Sequence, residues 1–305
     1  MAGVPPETLR HLRCPICGQP LAPAPTAATT ALRCPAGHSF DVARQGYVNL
    51  TAGRAPHSGD TPAMVAAREA FLGAGHYDFI SAALAARAVA AAGGTTGTGA
   101  AAQRQAPGPG GSTTYPDLVV DAGAGTGRHL AAVLDALPTA TGLALDASKP
   151  ALRRAARAHP RAGAALCDTW RRLPLADGAA GLLLNVFAPR NGAEFRRVLR
   201  PDGTLLVVTP AADHLHELVD LLGLLRVDPA KEERVAGSLT PHFTPGDVTE
   251  RRHTLRLTRA EVRTLVEMGP SAWHTDADRL DGRIGTLVEP VPVTAAVRIA
   301  AYHPR

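Results

Sequence analysis

Residues 117–127 read Asp-Leu-Val-Val-Asp-Ala-Gly-Ala-Gly-Thr-Gly, and the fold hangs on that run. Leu118 to Val120 form a short apolar stretch of the kind that makes a buried parallel strand. Asp121 follows at once, then glycines at 123, 125 and 127, then a segment from Arg128 to Leu137 with the make-up of a helix. Glycine is needed where the backbone takes positive φ or where a ligand must approach closer than a Cβ allows. A strand, a glycine turn and a helix N-terminus in succession make a nucleotide-type cofactor cradle.

The spacing narrows the cofactor. Dinucleotide folds use Gly-x-Gly-x-x-Gly, whereas this chain has Asp-x-Gly-x-Gly-x-Gly, which resembles motif I of S-adenosylmethionine-dependent methyltransferases. A second acid, Asp146, ends the next strand (Thr141 to Leu145), where a carboxylate can accept hydrogen bonds from both ribose hydroxyls. The Arg200-Pro201-Asp202-Gly203 turn before a further apolar strand fits the same class. A generic glycine loop would explain the motif alone but not these additions. Asp121, Gly123, Gly125, Gly127 and Asp146 are therefore expected to bind S-adenosylmethionine.

From Asp117 onward strands and helices alternate, which predicts a parallel, doubly wound sheet. Helices are expected over Pro150–Ala158, Glu194–Leu199, His214–Leu222 and Ala260–Met268. Strands are expected near Ala164–Leu166 and over Gly181–Val186, Leu205–Thr209, Thr254–Leu257 and Val293–Ala301. Upstream, Thr61 caps a helix that opens at Pro62 and runs to about Leu72. Residues 73–77 break it, and a second helix follows from Asp78 to Ala92. Residues 93–114 are almost wholly Gly, Thr, Ala, Gln and Pro, a composition that packs no core and reads as a flexible linker.

Three of the four cysteines cluster near the N-terminus, and Cys14, Cys17, Cys34 and His38 make the pattern Cys-x2-Cys-x16-Cys-x3-His. Each half is a tight turn that can aim two donors at one tetrahedral ion, and three thiolates with one imidazole match zinc. An odd number of clustered cysteines disfavours a disulfide network. A closed set of four ligands is structural, since no position stays open for water. Cys167 reads as a small buried core thiol. Residues 39–42 and 45–50 look like strands of a small ribbon that needs its metal to fold. Arg44, Arg54 and His57 are candidates for phosphate contact or for plain solvated surface.

The chain has 305 residues, 45% of them hydrophobic, enough for a full α/β domain and a small accessory one. No apolar run approaches the ~20 residues that span a bilayer, and the N-terminus lacks a secretory pattern, so a cytoplasmic location without membrane attachment is expected. The formal charge is +5, and only two of the 32 basic residues are lysine. Arginine suits phosphate and base recognition, although an alanine-, glycine- and proline-rich chain also suggests a GC-rich genome.

Taken in order, several stretches carry a resemblance that covers nearly the whole chain. They are the cysteine–histidine module, Phe40 to Leu50, Gly59-Asp60, residues 67–77 with Arg68 and Tyr77, Asp121 to Gly127, Phe187-Ala188-Pro189, and Thr209-Pro210 with His214-Leu215. This combination resembles the RlmA family of 23S rRNA guanine-N1 methyltransferases, which modify hairpin 35 and some of which confer resistance to tylosin-type macrolides. The 93–114 insert departs from the family by its length. The resemblance implies zinc on Cys14, Cys17, Cys34 and His38, with the module helping to grip 23S rRNA. It also implies S-adenosylmethionine contacts from Tyr77, Gly125, Thr126 and His214. Family members can dimerise, and nothing in the chain requires it.

The expected architecture is thus a class I S-adenosylmethionine-dependent methyltransferase: an α/β, Rossmann-like, seven-stranded and mostly parallel sheet with an N-terminal zinc-binding ribbon. The expected division is a zinc module over 1–55, connecting helices over 56–92, a linker over 93–116 and a methyltransferase domain over 117–305. Asp168 and Trp170 lie where many enzymes of this class read adenine. Methyl transfer is an in-line displacement in which the protein positions the nucleophile and excludes water. Guanine N1 carries a proton, so a base within reach is expected, and the sequence singles out none. Asn185, Phe187 and Pro189 form the expected target-base loop: Phe187 stacks on the base, while Asn185 or a backbone carbonyl reads its edge. Two alternatives are a small-molecule methyltransferase of a biosynthetic pathway and a non-catalytic zinc-dependent RNA-binding protein. The zinc ribbon and the arginine excess argue against the first, the intact cofactor motif against the second.

Overall fold

The computed structural model describes residues 4–25, 30–53, 59–93, 117–222, 237–269 and 276–305. The expected linker, but for Gly93, and Arg54 and His57 lie outside the described residues. At the N-terminus, α1 (Pro6–Leu9) precedes a small antiparallel sheet of β1 (Ala22–Pro25), β2 (Thr30–Arg33) and β3 (Ser39–Asp41). Next come β4 (Tyr47–Asn49), α2 (Pro62–Gly73) and α3 (Asp78–Gly93). The nucleotide-type fold follows with β5 (Leu118–Ala122), α4 (Arg128–Ala136), β6 (Thr141–Asp146), α5 (Lys149–Ala155), β7 (Ala162–Leu166), β8 (Ala180–Val186), α6 (Gly192–Val198) and β9 (Leu199–Pro210). It closes with α7 (His216–Leu222), β10 (Phe243–Leu257), α8 (Arg259–Glu267), α9 (Ala277–Gly285) and β11 (Val291–Pro304).

The large sheet has the order β10-β11-β9-β8-β5-β6-β7-β4. Strands β4 to β9 run parallel within it, and β11 is antiparallel to both β9 and β10. Every residue of β5 is buried, because helices or the zinc module cover both faces. Side chains alternate across the strand: Val119 joins the core with Leu84, Leu130 and Leu134, while Leu118 and Val120 join Phe195, Leu12 and Cys14 on the other face.

The sheet has one strand more than the seven expected. Tyr47–Asn49, read as part of the ribbon, instead pairs in parallel with β7, from Tyr47 opposite Ala164 to Asn49 opposite Leu166. Tyr47, Val48 and Leu50 are buried, and without them the β7 edge would present unpaired backbone groups. A bridge between Leu12 and Leu175 adds a second backbone tie. The zinc module is therefore built into the main core.

Helix α2 begins as expected, with Thr61 Oγ1 accepting from Met64 N–H at 3.2 Å. The sequence marked only the last four residues of β10 as strand. Most of its side chains are exposed, so hydrophobic alternation is missing, and pairing with β11, interrupted by a bulge between Pro245 and Val248, holds it. Nothing in the sequence pointed to α9, whose polar composition includes Gly282. Arg200–Gly203, expected as a turn before the fifth strand, lies within β9, where a register shift opposite Ala180 to Leu182 takes up the extra residues.

Candidate active site and zinc centre

The C-terminal ends of β5, β6, β7 and β8 gather the candidate residues along one edge. After β5 the chain turns through Gly123, Gly125 and Gly127 at φ of 85°, 54° and 80°, left-handed values that favour glycine. Leu145 O accepts from Gly123 N–H at 2.8 Å and from Ala124 N–H at 3.0 Å, which pins the turn to β6. A Cβ on Gly123 would meet Ala188 Cβ at 2.3 Å, so the loop expected to hold the target base lies directly on the glycine turn. Gly127 leads into α4 without a side-chain cap, and Thr126 beside it is buried.

Asp146 ends β6 as expected, but its carboxylate serves the turn. Oδ2 accepts from Gly125 N–H and Oδ1 from Ser148 N–H, both at 2.8 Å. Asp121 is 1% exposed, and its Oδ1 has no partner among the described residues. Burial, reinforced by the neighbouring Asp146, pushes its carboxyl up to about 8. Burial also raises Asp146, against the two amide bonds that hold it down.

This set fits S-adenosylmethionine. An orphaned buried carboxylate is costly on its own, and a cationic cofactor is the partner that would relieve it. The glycine turn leaves open backbone beside it. When bound, the cofactor supplies a methyl group on a positively charged sulfur. Asp121 would meet the positive charge, and Asp146 keeps the turn in shape.

A cluster of rings closes the other side. Tyr77, delivered by the break between α2 and α3, is 4% exposed, and its phenol is raised by burial. Its ring centroid lies 6.3 Å from Phe187 and 6.2 Å from His214, with Phe187 and His214 6.0 Å apart. Ala296 N–H donates to His214 Nδ1 at 3.2 Å. The imidazole is therefore neutral with its proton on Nε2, which donates to Tyr77 Oη at 3.4 Å. Phe187 is 40% exposed at φ 51°, a backbone strain of the sort found at ligand clamps. Asn185 sits beneath this loop, fully buried, with Nδ2 donating to Ala122 O at 3.0 Å and Pro189 O at 2.9 Å. Pro189 is exposed.

Asp168 is buried at the end of β7 and accepts from Trp170 N–H at 3.0 Å. Cys167 beside it is buried, with its thiol raised by burial, as suits an inert core cysteine. Sequence reasoning gave no role to Asp60, Arg68 or His129. Arg68 pairs with Asp60, donates to Met268 O at 2.8 Å and lies over Gly125. Ser148 Oγ donates to Asp60 O at 2.8 Å. His129 meets Ser81 Oγ at 2.9 Å and is lowered to about 4 by burial and then by Arg128. The Gly59-Asp60 and Ala67-Arg68 stretches were the available signal.

At the N-terminus the ligand atoms of Cys14, Cys17, Cys34 and His38 all lie within 4.8 Å of one another. Sγ of Cys14 and Cys34 lie 3.6 and 3.3 Å from His38 Nδ1, and the Sγ atoms of Cys17 and Cys34 are 3.6 Å apart. Tetrahedral zinc with bonds of about 2.3 Å to sulfur and about 2.0 Å to nitrogen would give ligand–ligand edges of roughly 3.5–3.8 Å. The four atoms thus fit one structural zinc ion through Nδ1, and none of the cysteines is in a disulfide.

Comparison with known proteins places this geometry. Residues 12–57 match the family model of the RlmA N-terminal zinc ribbon, and residues 119–203 match a methyltransferase domain. The chain is 70% identical over 98% of its length to a Micromonospora griseorubida protein named as a 23S rRNA (guanine-N1)-methyltransferase, covering 99% of that protein. It is 51% identical to the 23S rRNA (guanine(748)-N(1))-methyltransferase of Streptomyces fradiae, covering 98% of each chain. A Bacillus subtilis relative is 27% identical over 88% of this chain and 89% of its own. On the sequence, the zinc ribbon and the cofactor fold together, the chain belongs to the family of 23S rRNA guanine-N1 methyltransferases.

Proposed function

We propose that this chain transfers a methyl group from S-adenosylmethionine to N1 of a guanine in hairpin 35 of 23S rRNA. The observation that carries this reading is the contact of Gly123 with Ala188, which sets an exposed aromatic, Phe187, directly beside the cofactor turn. Tyr77, Asp121, Gly123, Gly125, Thr126, Gly127, Asp146, Asp168 and His214 form the cofactor side. Phe187 offers its face to the target base, and unpaired RNA bases are commonly held by such stacking. Asn185 gives both Nδ2 protons to Ala122 and Pro189 and so positions the loop from below, while its Oδ1, buried without a partner among the described residues, is together with the loop carbonyls an acceptor for the base edge. Transfer forms a bond from N1 to the methyl carbon as the carbon–sulfur bond breaks, and the N1 proton leaves to solvent or a base. The family resemblance further implies lowered susceptibility to tylosin-type macrolides, and homodimerisation is a matter for light scattering.

Primer extension across hairpin 35 tests the reaction, with and without the gene expressed in a host lacking its own enzyme. N1 methylation blocks Watson–Crick pairing, so a new reverse-transcriptase stop beside the modified guanine is expected. Absence of a stop from a chain that binds S-adenosylmethionine would move the acceptor elsewhere.

A further inference from the structure

The segment from Asp168 to Arg172 reaches two functional regions at once. On one side Arg171 Nη1 lies 3.5 Å from Ala52 O, just beyond β4. On the other, Asn191 Nδ2 donates to Trp170 O at 3.0 Å and Arg171 O at 3.3 Å, and Leu173 N–H donates to Glu194 Oε2 at 2.8 Å. The segment is therefore a fixed ledge running from the zinc module to the root of the Phe187–Pro189 loop.

Beside the ledge is a cavity of about 230 Å³, bounded by Pro15 of the first zinc turn, Thr51 to Gly53, Asp168, Arg171 and Arg172. Arg172 is exposed, and the carboxylate it acts on is the exposed Asp177. Arg171 is 52% exposed and pairs with the buried Asp168 carboxylate at 3.7 Å. Trp170, next to them, is 51% exposed. Two exposed guanidinium groups, a large exposed aromatic and an open cavity make a combination suited to unpaired nucleic acid. Arginine takes phosphate through a planar fork, and an aromatic face takes any base by stacking. A duplex would offer phosphates but no free base face for Trp170.

Resting on the function proposed above, we infer that this ledge is an RNA subsite for two successive unpaired nucleotides flanking the target guanine. One nucleotide sets its phosphate between Arg171 and Arg172 at the outer mouth of the cavity, leaving Asp168 to the cofactor side, and the neighbouring base stacks on Trp170. The zinc module then contributes directly to RNA binding. Pro15 and residues 51–53 form the far wall, so the metal holds one side of the subsite.

Binding of a synthetic hairpin 35 RNA by fluorescence anisotropy tests the inference, alongside calorimetric S-adenosylmethionine binding and thermal melting for each variant. Arg172→Ala and Trp170→Ala are each expected to weaken RNA binding by about tenfold, the scale of one lost stacking or charge-assisted contact. The slope of log affinity against log salt should fall by about 0.7 for each arginine removed. Cofactor affinity and melting temperature of Arg172→Ala should match the wild type. In a Trp273→Phe background Trp170 is the sole tryptophan, and its emission should change on RNA addition. Unchanged RNA affinity in both variants would overturn the subsite. Weaker cofactor binding with unchanged RNA binding would overturn it too, by giving the cavity to the adenine. A wild-type chain that binds the hairpin without methylating it would sink the proposed reaction, while the variants still judge the subsite. A wild-type chain that binds no hairpin RNA would end both.

Discussion

His214 Nε2 lies 3.4 Å from Tyr77 Oη, joining the α2–α3 break to the segment after β9 across 137 positions of sequence. Ala296 N–H fixes the other ring nitrogen, so direction as well as contact is set. The pair is a clasp between the connecting helices and the sheet edge, made where the cofactor is expected.

Removing the clasp separates its hydrogen bond from its ring. Tyr77→Phe keeps the ring contacts and should lower stability by about 1 kcal/mol, the net worth of one such bond. Tyr77→Ala also empties a buried site and should cost roughly 3–5 kcal/mol. Chemical denaturation measures both, and calorimetry should show S-adenosylmethionine affinity falling more in Tyr77→Ala than in Tyr77→Phe.

Asp121 links the cofactor site to pH. Its folded carboxyl is raised from 3.8 to about 8, so between those values the folded chain holds a proton that the unfolded chain has released. That contribution to stability is complete below about pH 4 and declines by at most about 1.4 kcal/mol per pH unit as pH rises toward 8. Asp121→Asn should flatten this part of the stability profile. A cationic cofactor favours the ionised carboxylate, so its affinity should rise between pH 6 and 8 with proton release. Calorimetry in buffers of different ionisation enthalpy would detect that proton, and its absence would place Asp121 away from the positive charge.

Gly123→Ala tests the contact between the glycine turn and the loop proposed to hold the target base. At φ 85° the new Cβ meets Ala188 Cβ at 2.3 Å, so the loop must move or the turn must open. Left-handed backbone adds roughly 1–2 kcal/mol. Methylation should fall at least about tenfold, since small misplacements of reacting groups are expensive in rate. A single-turnover assay at saturating cofactor gives the answer, and full activity would uncouple the two loops.

Zinc removal should reach beyond the ribbon. Because β4 pairs with β7 and Leu12 bridges Leu175, loosening the module strips an edge from the main sheet. Metal analysis should give one zinc per chain, and Cys17→Ser should lose it. Losing a structural ion removes several kcal/mol of folding energy, which for this size corresponds to a fall of about 10 °C in melting temperature. An unchanged melting temperature in metal-free protein would contradict that reading.

Much of this was legible locally. Glycines 123, 125 and 127 meet backbone angles that few other residues adopt, so the glycine turn could be read from the chain alone. The zinc ligands could be read likewise, because two tight turns present their donors through short-range geometry. Thr61 and Pro62 start α2 where their local chemistry says a helix starts. Asp121, Asp146 and Tyr77 could be named from the sequence, although their partners could not.

Other features depend on contacts that no local pattern contains. Strand β4 joins the large sheet because a buried Tyr47 and Val48 meet an unpaired edge of β7 more than a hundred residues away. Strand β10 is held by backbone pairing with β11, which leaves no mark in hydrophobic alternation. Arg68 reaches the glycine turn only once α2 has docked, and Asn185 lies below its loop only because Ala122 and Pro189 take both its amide protons. The sequence determined the backbone shapes that residue type enforces and the donor sets that spacing brings together. Tertiary structure alone decided which buried polar atoms found partners, since that depends on surfaces meeting across the fold.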